Sequence, residues 1–124
     1  MNYCFACGRD NPCGLHLQFA FDGKIARATF RPDPAYQGWG NILHGGIIAT
    51  LLDEAMVYAA YFQGINALTG EIRVRFRKEV PLEETLIVEG WIENARRSLL
   101  LTRSRLLNKE GVVLAEGEGK LMRF

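Results

Sequence analysis

The chain has 124 residues, 48% of them apolar and 10% aromatic, which suits one ordinary globular core and argues against several domains or a disordered tract. Fifteen Lys+Arg against fourteen Asp+Glu leave a formal charge of +1, too little field to hold a duplex nucleic acid or an anionic membrane, so neither is expected as a partner. Met1 to Asp10 carries no basic or apolar targeting stretch and no segment reads as a membrane span, so a soluble, cytoplasmic protein is expected.

The three cysteines, Cys4, Cys7 and Cys13, are an odd number crowded near the start, unlike the paired framework of a small secreted domain, and reduced thiols are expected. With His16 they offer four soft or borderline ligands in one loop, the donor set of a tetrahedral zinc site. Such sites usually separate their two ligand pairs by a longer stretch. No metal is therefore assigned, and the thiols are expected to pack as small apolar groups.

After the turn formers of "CGRDNPCG" (7–14), "LHLQFAF" (15–21) alternates Leu15, Leu17, Phe19 and Phe21 against His16, Gln18 and Ala20, a strand of period two. Asp22-Gly23 then makes a hairpin with "KIARATF" (24–30). Two prolines and two glycines mark 31–41 as loop. From His44 to Gln63 there is no proline, and no glycine after Gly46. Ile47, Ile48, Leu51, Leu52, Ala55, Met56, Ala59 and Ala60 recur at helical spacing, while Ala49, Thr50, Val57 and Tyr58 leave little polar circumference. A helix of this composition sits inside something, and Gly64 ends it.

Four strands follow, at 67–80, 84–95, 98–108 and 112–123, joined by connectors short enough to make antiparallel neighbours. In the first of these, Leu68, Gly70, Ile72, Val74 and Phe76 are expected on one face and Thr69, Glu71, Arg73, Arg75 and Arg77 on the other. In the last, Val113, Ala115, Gly117 and Gly119 share a face small enough to admit a helix closely. The fold class expected is α+β: one antiparallel sheet curled around a single long central helix, as one domain over 1–124.

Chemistry concentrates in "NILHGGIIATLLDEAM" (41–56). The leading N–H groups of a helix lack intrahelical partners and carry its positive dipole end, and Gly45-Gly46 present them without side chains, a ready oxyanion site. Asp53 lies among Ile, Leu and Ala with no Lys or Arg three or four residues away, so it is expected to face a cavity. Eight residues of helix span about 12 Å, too far for the Gly45 amide and the Asp53 carboxylate of one helix to act on one carbonyl. Two copies with antiparallel helices would bring them together across a two-fold axis. On spacing alone, close packing at the glycines and a wet edge at Asp53-Glu54 remain an equal reading.

"GNILHGGIIATLLDEAMVYAA" (40–60) resembles the His-Gly-Gly plus downstream Asp signature of the hotdog-fold acyl-CoA thioesterases, in their phenylacetate-type (PaaI-like) branch. The opening "CFACGRDNPCGLHLQF" (4–19) is similar to the start of many members, and the order of strands matches nearly the full chain. The resemblance implies hydrolysis of an acyl- or aryl-CoA thioester with no metal or redox cofactor. Gly45 would polarise the thioester carbonyl through its N–H, with Gly46 beside it; Asp53 of the partner subunit would be general base or nucleophile; His44 would orient the thioester and Thr69 would sit near the attacking water. Many relatives carry Asn or Gln seven residues before the oxyanion glycine, where this chain has Gly38, flanked by Gln37; Asn41 is the other amide within reach of that role. Arg96, Arg97 and Ser98 form a turn where family members often meet the nucleotide phosphates. Arg73, Arg75 and Arg77 make a second basic stripe, and Trp39, Tyr58, Tyr61 and Phe62 could line an acyl pocket, although both groups read equally as solvated sheet and plain core. A homo-oligomer, dimer or dimer of dimers, is expected. A non-catalytic acyl-CoA-binding sensor and an enoyl-thioester hydratase are the competing readings, the latter disfavoured because His44 stands nine residues from Asp53.

Overall fold

The computed structural model describes residues 2–124. One helix, α1 (Gly45–Tyr61), packs against a six-stranded sheet made of β1 (Ala20–Phe21), β2 (Ile25–Phe30), β3 (Ala67–Phe76), β4 (Leu86–Ala95), β5 (Leu99–Asn108) and β6 (Val113–Arg123). The strand order is β1-β2-β4-β5-β6-β3, and every pair is antiparallel. A short 3-10 turn, Pro34–Tyr36, lies in the 31–41 loop and is capped by Asp33, whose side chain accepts from the Ala35 N–H. This is the helix-in-sheet arrangement expected from the pattern.

The core follows from the helix's composition. Ile48, Leu51, Leu52, Ala55, Met56, Ala59 and Ala60 are buried; the first four pack with Leu86, Val88, Leu106, Leu114 and Ala115 of the sheet, and Met56 and Ala60 form a second cluster with Ala67, Leu100 and Leu121. Two glycines set the spacing between helix and sheet. A Cβ at Gly90 would stand 2.4 Å from the Ala55 carbonyl, and one at Gly117 would stand 2.5 Å from the Ser104 hydroxyl and 3.3 Å from Leu52 Cβ. The sheet therefore touches the helix backbone at Gly90 and the Leu52 side chain at Gly117, where any larger residue would hold them apart.

Two expected elements differ. Only Ala20–Phe21 of the 15–21 stretch joins the sheet. Its preceding residues bond the amino-terminal segment instead: Leu15 N–H donates to Phe5 O at 2.8 Å and Leu17 N–H to Ala6 O at 2.9 Å. His16, at φ 55, breaks the extended run. The period-two burial of Leu15 and Leu17 survives because this strap still lies over the core.

The second difference is in β3, which ends at Phe76 instead of continuing to residue 80. A bulge between Thr69 and Glu71 adds a residue to one side of the ladder with β6, with Thr69 opposite Leu121 and Glu71 opposite Lys120. Side-chain alternation slips by one across it. Ala67 and Thr69 thus face the helix before the bulge and Val74 and Phe76 after it, while Leu68 is 64% exposed. Thr69 is on the inner face, not with Arg73, Arg75 and Arg77 as strict alternation implies.

The candidate active site

His44 is the N-cap of α1, with extended backbone at φ −61 and ψ 134. Its Nδ1 accepts the Gly46 N–H at 2.8 Å, and its carbonyl accepts from Ile47 and Ile48. An Nδ1 that accepts leaves the ring proton on Nε2, so the neutral imidazole presents an N–H away from the helix. Gly46 is glycine for this cap: a Cβ there would stand 3.1 Å from His44 Nδ1. The same bond consumes the Gly46 N–H. Among the described residues the Gly45 N–H meets no acceptor, and it is the free donor at the positive end of the helix.

Gln37 and His44 flank the groove at this end, which has a volume of about 390 Å³ between the 3-10 turn and the first turn of α1, with Gly46, Ile47 and Thr50 also lining it. Gln37 Oε1 accepts the Asn41 N–H at 3.1 Å, and Asn41 is held at φ 64. Gln37 thus occupies the groove and Asn41 shapes the loop that carries it. Trp39 projects from that loop at 85% exposure.

Two turns along the helix Asp53 is half-buried, and Thr69 Oγ1 donates to its Oδ1 at 2.5 Å. A hydroxyl donor on one carboxylate oxygen fixes the side-chain rotamer and leaves the other oxygen to act. The β3 bulge makes this contact possible, since it turns Thr69 inward. Sequence alternation missed the pairing; Gly70, a glycine inside a strand pattern, was its one signal.

The next residue, Glu54, faces the amino-terminal strap. Cys4 Sγ donates to its Oε2 at 3.7 Å, and Cys7 and the Tyr58 hydroxyl lie alongside. Burial, then the charge of Asp53, push the Glu54 carboxyl above the ordinary glutamate range. Burial likewise pushes the Cys7 thiol up to about 11 and raises the Tyr58 phenol. His16 and Cys13 do not join these thiols: His16 Nε2 lies 2.7 Å from Asn11 O, and Cys13 is exposed.

Arg96, Arg97 and Ser98 form the exposed β4–β5 turn, closed by the Arg96 N–H donating to Leu99 O. Leu100 pairs with Leu121, which pairs with Thr69, so this turn stands at the Thr69 end of the sheet. The Gly45 end is the other one, where the ring of Phe76 lies beside Gly45. In one protomer the sequence-expected residues therefore form two half-sites: Gln37, His44, Gly45 and Gly46 at one end of β3, and Asp53, Thr69 and the 96–98 turn at the other. Tyr58, Tyr61 and Phe62 form one aromatic cluster with Phe19 and Phe21, the closest pair being Phe19 and Tyr58 at 4.7 Å between ring centroids.

The architecture is shared with solved proteins. Protein RHA08564, a thioesterase superfamily protein, superposes with a TM-score of 0.92 at 23% identity over 98% of this chain and 60% of its own. The PaaI protein of the E. coli phenylacetic acid degradation operon gives 0.82 at 21% identity, covering 89% and 80%. The smu.793 protein of Streptococcus mutans, solved with acetyl CoA bound, gives 0.82 at 18%, covering 87% and 88%. Mouse acyl-coenzyme A thioesterase THEM4 is 29% identical over 84 residues, 64% of this chain and 36% of that protein. The chain spans between 28% and 43% of the length of the curated relatives it matches. The match to the thioesterase superfamily model runs over residues 40–115 and takes in both half-sites apart from Gln37. With more than half of its length matched and the hotdog architecture in place, the chain belongs to the thioesterase superfamily.

Proposed function

We propose that the protein hydrolyses acyl-CoA thioesters at two equivalent sites, each assembled from two protomers. The observation that carries this reading is the separation of the two half-sites along β3. This strand is an unpaired sheet edge of ten residues, and Leu68, Ile72 and Phe76 on it are exposed, as are Met122 and Phe124 beside its start. A long, apolar, open edge is a template for pairing with another chain.

If two β3 edges pair antiparallel about a two-fold axis near Ile72 and Arg73, Thr69 of one protomer stands opposite Phe76 of its partner. Thr69 holds Asp53 and Phe76 lies against Gly45, so the Gly45 N–H of one subunit comes to the Asp53 carboxylate of the other. The 96–98 turn then flanks the same site, where its two guanidinium groups suit the phosphates of coenzyme A. The name of the THEM4 relative and the acetyl CoA held by the S. mutans neighbour support the substrate class.

In this reading the Gly45 N–H donates a hydrogen bond to the thioester oxygen and stabilises its developing negative charge. His44 Nε2–H and Gln37 position the thioester from the same side. Asp53, oriented by Thr69, takes a proton from a water that attacks the carbonyl carbon, or itself attacks that carbon, expelling CoA thiolate and forming a mixed anhydride that water then hydrolyses; either route ends in CoA thiol and the free acid. The chemistry calls on no metal or redox cofactor. The test is thiol release from a panel of acyl- and aryl-CoAs by the wild type and by Asp53→Ala. The variant is expected to fold and bind CoA ester but to lose more than about 100-fold in turnover. Ester binding without turnover by the wild type on every panel member would replace hydrolysis with a binding role.

A further inference from the structure

The second cluster of reactive side chains lies off this machinery, where the amino-terminal strap crosses α1. We propose that Cys4, Cys7 and Glu54 form a binding site for one divalent cation of the zinc class, which clamps the strap to the helix.

Three observations carry it. The two sulfur atoms and a Glu54 carboxylate oxygen all lie within 4.8 Å of one another, and each residue is half-buried. Zinc–thiolate bonds of about 2.3 Å and zinc–carboxylate bonds of about 2.1 Å at tetrahedral angles set sulfur–oxygen separations of about 3.5 Å and sulfur–sulfur separations of about 3.8 Å. Cys4 Sγ and Glu54 Oε2, at 3.7 Å, already stand at that spacing. The ligands need close only slightly on a central ion, with solvent in the fourth position.

The turn is also built for it. The Gly8 N–H donates to Cys4 O at 2.8 Å, and a Cβ at Gly8 would stand 2.3 Å from Cys4 N and 2.5 Å from Asn2 O. Only glycine fits directly after Cys7, and the tight turn keeps both sulfurs on the side facing the helix. Finally, the third ligand comes from an element fifty residues away, so an ion here would bridge strap and helix and couple its binding to the fold. Cys13 and His16 take no part, which separates this site from the four-ligand loop that their spacing suggested.

Metal analysis of untagged full-length protein, purified without chelator, tests the proposal directly. One equivalent of zinc per chain is expected. Titrating the metal-free protein with Co²⁺ should give thiolate-to-cobalt charge transfer and the visible bands of a tetrahedral site. Both should be absent in the Cys4→Ser/Cys7→Ser double variant and unchanged in Cys13→Ser. Glu54→Gln should keep charge transfer but bind at least about tenfold more weakly. Wild-type protein that holds no zinc and gives no cobalt bands would overturn the site whatever the variants do. So would bands that survive in the double variant, or a Cys4–Cys7 disulfide in the protein as purified under reducing conditions.

Discussion

At Asp53 the useful feature is what holds it. A carboxylate on an apolar helix, with no neighbouring cation on its own turns, is steadied by the Thr69 hydroxyl. Thr69→Val keeps the shape and removes the donor. On the proposed mechanism Thr69 positions the base and makes no substrate contact, so kcat is expected to fall about tenfold with KM little changed. A parallel rise in KM would place Thr69 on the substrate instead. Glu89 shows the opposite arrangement, a carboxylate whose neighbours decide its charge. It is 6% exposed on the outer face of the sheet; Arg105 Nε donates to it at 2.7 Å and Arg27 Nε donates to its other oxygen. Burial opposes its charge, but the guanidinium groups of Arg105 and Arg27 outweigh burial and hold the carboxyl below its usual value of 4.5. A carboxyl depressed in the folded state stabilises fully above its unfolded pKa and loses that contribution as pH falls through the folded value. Glu89→Gln is therefore expected to cost about 1–3 kcal/mol near neutrality, less than a fully buried pair because both arginines are half in water. Thermal melts from pH 7 downward should show the gap between variant and wild type shrinking below 4.5.

The helix was legible because it has no internal breaker after Gly46 and because its apolar residues cover nearly the whole circumference, a pattern that only a central element satisfies. Strand β3 was legible in place but not in orientation. A bulge is set by pairing with β6, and alternation along one strand carries no record of its partner. The 15–19 part of the amino-terminal strap looked like a strand for the same reason: its burial alternates, while its hydrogen bonds go to residues 5 and 6. The gathering of Cys4, Cys7 and Glu54 was illegible altogether, since spacing within the first sixteen residues cannot announce a ligand supplied by α1. The open edge of β3 has its own consequence. Ile72→Lys puts a charge at the middle of that edge without entering the core, where Ile72 is 36% exposed. The variant is expected to remain folded by circular dichroism, to sediment as a monomer, and to lose turnover along with the dimer. A monomer that retains full turnover would detach activity from this edge.

Across the molecule, one fold separates what the proposed reaction would need to bring together. The helix dipole is offered at one end of β3 and the acid at the other, and a single chain has no means of closing that gap without breaking the core that Gly90 and Gly117 pack so tightly. The proposed dimer would solve this, because a two-fold axis through an antiparallel edge would exchange the ends. The most direct measurement is complementation between two inactive variants. Asp53→Ala removes the acid, and Gly45→Pro removes the free N–H while suiting a first helical position whose preceding residue, His44, is already extended. Each alone is expected to be at least about 100-fold impaired. Co-expressed and mixed at random, they should regain about a quarter of wild-type turnover, because half the dimers are mixed and each mixed dimer keeps one intact site. Mixed dimers as inactive as the two parents would show that amide and carboxylate act from the same chain, and would contradict the shared site.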